Sequence, residues 1–71
     1  AEDQAIQREL NDRLAEAMER LTARQRTALH LRAAEGLDYA AIGNVLGCTA
    51  VAARMHVLAA RRHVLARLQE H

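Results

Sequence analysis

The 71-residue sequence contains no proline, phenylalanine, tryptophan or lysine, and it has one cysteine. A single cysteine excludes an internal disulfide, and no cysteine cluster is present to hold a structural zinc ion. No apolar run approaches the roughly 20 residues that cross a bilayer, and no signal-peptide pattern is present. We therefore expect one small cytoplasmic domain without membrane contact. Because the sequence begins with Ala in a polar stretch, we expect it to be a piece of a longer protein.

The net charge of +1 hides an asymmetry between the two halves of the chain. Residues 1–38 carry six Arg against eight Asp or Glu, whereas residues 39–71 carry four Arg against only Glu70, which gives −2 and +3. A basic half predicts a polyanionic partner such as nucleic acid, with a solvated arginine face as the alternative. All ten basic residues are Arg, which favours planar bidentate contacts to phosphate, carboxylate or guanine.

Alanine and leucine at helical spacing predict an all-α fold of four helices. The first is an amphipathic helix of about four turns. Its apolar positions recur every three or four residues, at Ile6, Leu10, Leu14, Met18 and Leu21. Thr22 and Gln25 match a capping box, so a second helix begins there and is expected to continue until Gly36.

A short third helix and a long fourth helix are predicted to form a C-terminal helix-turn-helix. Asp38 is a suitable N-cap for the third helix, and Gly47 ends it. Gly43, in the middle of this helix, is expected to permit close approach of another helix. Thr49 then caps a fourth helix that continues to about Gln69. The apolar side of the third helix carries Tyr39, Ile42, Val45 and Leu46.

The stretch from Leu14 to Leu68 resembles the C-terminal promoter-binding domain, region four, of bacterial sigma factors of the extracytoplasmic-function group. The residues that carry the resemblance are Leu21, "RQR" at 24–26, Leu31, "EGLDYAAIGNVLG" at 35–47, Thr49, and the Ala60-Arg61 pair. The resemblance implies that residues 14–71 form the domain, with residues 1–13 as a linker and the start of the first helix. It also implies that the last helix enters the major groove of the upstream (minus-35) promoter element, and that a neighbouring surface docks on the β flap of RNA polymerase.

The sequence departs from the family pattern at the start of the fourth helix. The family usually has Gly, Thr and Val where this chain has Val51, Ala52 and Ala53, and it has Lys or Arg at the position of Arg54. Thr and Lys hydrogen-bond phosphates and base edges, whereas Ala cannot. We therefore expect weak DNA affinity from the isolated domain.

Two registers are open for the fourth helix. In the ungapped alignment the core positions are Ala53, Val57, Ala60, Val64 and Leu68. A rival alignment matches "AVAARMH" to the family's "TVKSRLH", shortens the turn by two residues and brings Arg62 inward. We prefer the ungapped register because Thr49 then caps the helix at the normal distance from Gly47. In either register one apolar stripe is left over, and exposed apolar patches usually mark a protein interface.

The candidate DNA-binding residues lie around the helix-turn-helix. They are Tyr39, Thr49, Ala50, Val51, Arg54, Met55, Leu58 and Arg61. Arg54 is expected to contact guanine or clamp a phosphate, with a solvated arginine as the alternative. A second set is expected to bind a partner protein. It comprises Val51, Met55, Leu58, Arg62 and Leu65. Sigma factors of this group are commonly sequestered by anti-sigma factors, so a helix of such a protein is the expected partner.

Catalysis, metals and cofactors find no support in the sequence. His56 and His63 share a helix face near Cys48, but a metal site needs a third ligand that is not apparent. No catalytic constellation is recognisable, so we expect no enzyme. Two alternative functions remain at this point. One is a helical interaction module whose apolar last helix binds a protein. The other is a helix-turn-helix regulator such as a response-regulator output domain, disfavoured because such domains usually dimerise and lack the Arg-Gln-Arg region.

Overall fold

The computed structural model describes residues 2–69, which fold into four α-helices. The helices are α1 (Glu2–Arg20), α2 (Ala23–Ala33), α3 (Tyr39–Leu46) and α4 (Ala50–Leu68). No strand occurs among the described residues. The predicted all-α, four-helix fold is confirmed, and the short α3 and long α4 are bent by 95° relative to each other.

Side-chain caps fix the starts of α2, α3 and α4, as the sequence predicts. The Gln25 backbone N–H donates to Thr22 Oγ1 (3.1 Å), and the Thr22 N–H donates to Gln25 Oε1 (3.1 Å), which completes a capping box. Asp38 Oδ1 and Thr49 Oγ1 each accept from the backbone N–H three residues later, at 2.8 and 3.0 Å. Each cap satisfies a backbone donor that has no partner within its helix.

The core consists of two clusters, and α4 contributes to both. One cluster contains Ala17, Leu21, Ala60 and Val64, and the other contains Ala28, Ile42, Ala53 and Val57. Four of these eight side chains are alanine, so the helix backbones can approach closely. The other three helices therefore pack around α4, which is the central element of the domain.

The packing of α4 decides its register. Ala53, Val57 and Ala60 are fully buried, Val64 is nearly so, and Leu68 packs partly buried against the first cluster. Arg62, which the rival alignment would bury, is exposed. The ungapped register is therefore confirmed.

The first half of α1 differs from the prediction. The helix begins at Glu2 and is continuous, so residues 2–13 are helical throughout, while the domain boundary at residue 14 stays a prediction. Its apolar positions Ile6, Leu10 and Leu14 are 54%, 44% and 42% exposed. The apolar face of an amphipathic helix usually packs on the core. Here α1 reaches the core only at its C-terminal end, through Ala17, Met18 and the following Leu21.

Two further details differ from the prediction. The helix α2 ends at Ala33, three residues before Gly36, and Gly36 adopts the left-handed conformation (φ 67°) inside the connecting segment. The chain closes there through a bond from the Leu37 N–H to the Leu31 carbonyl (3.1 Å). On α3, Val45 is 61% exposed instead of buried beside Ile42.

Within residues 2–69, none of the helices has by itself the length and apolar composition needed to cross a membrane. Only α3 and α4 taken together, across their 95° bend, meet that requirement. Both of these helices contribute buried residues to the second core cluster.

Candidate DNA-binding surface

The turn between α3 and α4 is built on two glycines. Gly47 ends α3 in the left-handed conformation (φ 74°), and its N–H bonds to the Gly43 carbonyl. The Cys48 N–H donates to the same carbonyl at 2.9 Å. A Cβ on Gly43 would lie 2.5 Å from the Cys48 carbonyl oxygen. The close approach expected at Gly43 is therefore real, but the approaching group is the backbone of the turn and not another helix.

The first two turns of α4 project from this bend. Thr49 holds the N-terminus, and the exposed residues that follow include Ala50, Val51, Arg54 and Met55. Val51 is 75% exposed and Met55 is 61% exposed. Ala52 and Ala53 turn toward the body of the domain, with Ala53 fully buried. The predicted candidates at this end of α4 thus share one outward-facing surface.

The positive charge of the helix-turn-helix is carried by α4. Residues 39–69 contain four Arg and no Asp or Glu. Arg67 pairs with Glu16 of α1, whereas Arg54, Arg61 and Arg62 are exposed. Arg61 follows Arg54 by seven residues, so it lies on nearly the same side of α4, about 10 Å further along the axis. The two form a basic flank beside the exposed apolar residues.

Tyr39 occupies a different environment from the other candidates. It is half-buried and packs against the second core cluster. The Arg32 guanidinium lies 5.0 Å from the centre of its ring, and Arg32 Nη1 also donates to the Leu37 carbonyl (3.0 Å). This contact holds the ring by a cation–π interaction at the entry to α3. The role of Arg32 could not be predicted from the sequence, because only the turn through residues 34–38 brings it to Tyr39.

The Arg-Gln-Arg segment at 24–26 connects α1 to α2. Gln25 completes the capping box, and Arg24 is exposed. Arg26 reaches back to the C-terminal end of α1, where Nε donates to the Met18 carbonyl (2.9 Å). Its Nη2 donates to the carbonyls of Glu19 (3.2 Å) and Leu21 (3.1 Å). This segment therefore holds the start of α2 against the C-terminal end of α1.

The apolar stripe left over from the core lies on the outer side of α4. This outer stripe consists of Val51, Met55, Leu58 and Leu65, and the exposed Arg62 lies beside it. Leu58 is half-buried, while Leu65 is 56% exposed. At 1.5 Å per residue the stripe is about 21 Å long, which exceeds what the first two turns can present to one DNA groove. Val45, also exposed and apolar, escaped the sequence analysis because its helical spacing matched the buried face of α3.

Residues 2–69 hold no group of three or more His, Cys, Asp or Glu that could bind a metal ion. Cys48 is a half-buried thiol of the turn that packs against the second core cluster. His56 and His63 are both half-buried on α4. His63 Nε2 is buried without a hydrogen-bond partner in the part of the chain that the structure describes.

Of three comparisons with known proteins, one found a match to this chain. No curated protein and no solved structure matches the chain significantly. The family model described as sigma-70, region 4, matches residues 11–64. That range covers more than half of the chain and includes the second half of α1, all of α2 and α3, and most of α4. The chain therefore belongs to the sigma-70 region 4 family.

Proposed function

We propose that the chain recognises the upstream, minus-35 element of promoters as region four of a sigma factor of the extracytoplasmic-function group. The family itself is DNA-binding and non-catalytic, and it acts in transcription with RNA polymerase. The observation that carries the finer proposal is the exposed Arg54 in the second turn of α4, a helix that is capped by Thr49 and has no acidic residue. Major-groove helices of helix-turn-helix proteins make their base contacts from this N-terminal end.

Arg54 is the proposed specificity contact, because a guanidinium can donate two hydrogen bonds to the O6 and N7 of guanine. Arg61, on the same flank, is proposed to hold a backbone phosphate. Thr49 and Ala50 are proposed to bring the backbone N–H groups at the N-terminus of α4 close to the DNA phosphates. Tyr39 remains a proposed phosphate donor through its hydroxyl group. Only a few of these contacts neutralise phosphates, so we expect the isolated domain to bind DNA weakly.

Two protein partners belong to the proposal. RNA polymerase positions the domain on the promoter, with the β flap as the docking site, and an anti-sigma factor holds it inactive. The outer stripe supports the second partner, because an apolar surface about 21 Å long accommodates an amphipathic helix. Its basic neighbours Arg54, Arg61 and Arg62 favour acidic residues on that helix. Such a protein works where RNA polymerase is, so the proposed location is the cytoplasm.

Footprinting tests the proposal. The full-length protein that carries this chain is combined with core polymerase, and protection of promoter DNA is mapped. We expect protection upstream of the start site that is lost in Arg54→Ala and retained in Arg8→Ala, which removes the same charge from exposed α1. If Arg54 contacts guanine, its loss costs about 1 to 3 kcal/mol and relaxes the preference at one base pair. A loss that is uniform across sequences makes it a phosphate clamp.

The exposed outer stripe also favours a second candidate, a helical module that binds a protein and contacts DNA only secondarily. Full transcription activity of the Arg54→Ala holoenzyme would support this candidate over the first. Loss of complex formation with an anti-sigma factor in Leu65→Glu, at unchanged promoter protection, would show that both surfaces are used.

A further inference from the structure

The first two turns of α4 expose a surface of unusual chemistry for recognition of bases. Its outward side chains are Val51, Arg54 and Met55, which we call the tip patch. Val51 and Met55 are four residues apart, so they lie on the same side of the helix, with Arg54 at their edge. Ala50 and Ala52 on either side of Val51 have no polar side-chain atom. Apart from Arg54, residues 50–55 therefore offer no side-chain hydrogen-bond donor or acceptor to a base.

Each base edge in the major groove requires a particular chemistry. Adenine is recognised by Asn or Gln, cytosine by a carboxylate, and guanine by Arg or Lys, whereas the 5-methyl group of thymine is contacted by apolar side chains. The tip patch can satisfy only the last two. Resting on the proposed function, we propose that Val51 and Met55 recognise thymine methyl groups beside a guanine that is bound by Arg54.

The dimensions of the patch agree with this assignment. Four residues of α-helix span about 6 Å along the axis. Successive bases on one strand are about 3.4 Å apart. Val51 and Met55 can therefore contact methyl groups one or two base pairs apart. Val51 is 75% exposed and Met55 is 61% exposed, so both side chains can release bound water when they contact a methyl group.

The charge around the tip patch suits DNA as its occupant. Arg54 belongs to the patch, and Arg61 lies about two turns further along nearly the same side of α4. Residues 39–69 contain no acidic side chain that would repel phosphates. The charge pattern suits the phosphate backbones on either side of a major groove. Further along α4, Leu65 lies about 21 Å from the start of the outer stripe, beyond the reach of the same groove, and is left for a protein.

Base analogues test the proposal in the holoenzyme. The preferred upstream element is first selected from a random library with the full-length protein and core polymerase. Each thymine of that element is then replaced in turn by deoxyuridine, which pairs identically but lacks the methyl group. We expect binding to fall about 4-fold at one or two of these positions, the loss that corresponds to one buried methyl group.

The variants Val51→Ala and Met55→Ala assign the effect to side chains. Each should remove the sensitivity to deoxyuridine at its own position, while Leu65→Ala, a matched truncation of an exposed apolar residue on the same helix, should retain it. Because all three residues are more than half exposed, the variants keep the core intact. Circular dichroism verifies their helix content.

The possible failures are distinguishable. An element that is selected but tolerates deoxyuridine at every thymine overturns the methyl assignment and leaves the proposed function standing. Sensitivity that persists unchanged in both Val51→Ala and Met55→Ala also overturns it. A holoenzyme that selects no upstream element overturns the proposed function and the methyl assignment together. Undiminished DNA binding by both Val51→Ala and Met55→Ala also overturns the methyl assignment and leaves the tip patch to the protein partner proposed for the outer stripe.

Discussion

Gly43 and Cys48 approach so closely that a Cβ on Gly43 would lie 2.5 Å from the Cys48 carbonyl oxygen. The obstacle is backbone, and it lies in the turn that aims α4, so a side chain cannot be accommodated by a change of rotamer. We predict that Gly43→Val destabilises the domain by about 1 to 3 kcal/mol, as is typical of overpacking. Urea unfolding followed by circular dichroism measures the effect.

The matched control is Asn44→Val, which introduces the same β-branched residue at the next, exposed position of α3. Asn and Val have similar helix propensities, and Val is a better helix former than Gly, so propensity does not account for a loss of stability that is confined to Gly43→Val. Equal destabilisation by the two variants would contradict a tight turn at Gly43.

Arg26 is predicted to stabilise the junction of α1 and α2. It donates to three carbonyls at the C-terminal end of α1, those of Met18, Glu19 and Leu21. The Met18 carbonyl also accepts from the Leu21 N–H (3.2 Å). Charged donors are favourable at the C-terminal end of a helix, where the last carbonyls lack the partners of a helix interior. Arg26→Ala should lower the free energy of unfolding by about 1 to 2 kcal/mol. Thermal unfolding measures this loss of stability. The control is Arg24→Ala, two residues earlier and exposed, which should stay within about 0.5 kcal/mol of the parent.

Local signals explain why much of the fold could be predicted from the sequence. A Thr or Asp before α2, α3 and α4 and a glycine after α3 act within three or four residues, so the sequence correctly predicts the roles of Thr22, Asp38, Thr49 and Gly47. The core stripe of α4 was also predictable, because the cap at Thr49 fixes which residues face inward. Exposure of the tip patch followed from that same register.

Features that depend on a distant neighbour could not be predicted. The spacing of Ile6, Leu10 and Leu14 defines a helix face, but it does not say that α4 meets only the other end of α1. The contact between Arg32 and Tyr39 requires the course of the intervening turn. For the same reason the assignment of individual residues to DNA or to a protein stays a prediction, since the binding partner decides it.

The uneven burial along α1 gives a test of this packing. Leu21 is 4% exposed in the first core cluster, whereas Leu10 is 44% exposed. Leu21→Ala should therefore cost about 2 to 5 kcal/mol, and Leu10→Ala should stay within about 0.5 kcal/mol of the parent. Both variants delete the same atoms, so urea unfolding compares burial alone. A large loss in Leu10→Ala would mean that the first half of α1 is covered in solution.

The basic flank of α4 predicts the salt dependence of DNA binding. If Arg61 contacts a phosphate, Arg61→Ala weakens binding equally for all sequences and reduces the slope of log K against log salt by about 0.9. Titration of labelled promoter DNA with holoenzyme at several salt concentrations measures the slope. Arg8→Ala, with the same change of charge on α1, should leave it unchanged. An unaltered slope in Arg61→Ala would remove this residue from the DNA contacts.

Thr49 combines a structural role with a proposed functional one, and two substitutions separate them. Its Oγ1 accepts from the Ala52 N–H at 3.0 Å, so Thr49→Ala should cost about 1 kcal/mol of stability. Asp is an equally good N-cap and interacts favourably with the helix dipole. Thr49→Asp should therefore unfold at the same urea concentration as the parent or a higher one.

The same Asp would place a negative charge where a phosphate is proposed to lie. We predict that Thr49→Asp reduces promoter affinity by at least about 5-fold, which corresponds to about 1 kcal/mol, the repulsion of two unit charges about 4 Å apart in water and a lower bound near a protein surface. Thr22→Asp is the matched control, because it makes the same substitution at the cap of α2, outside the proposed DNA surface. A filter-binding assay measures the promoter affinity of both variants, and the affinity of Thr22→Asp should equal that of the parent. A carboxylate beside a phosphate would lower the affinity. Parent-like affinity in Thr49→Asp would therefore mean that the N-terminus of α4 does not face the phosphate backbone of the DNA.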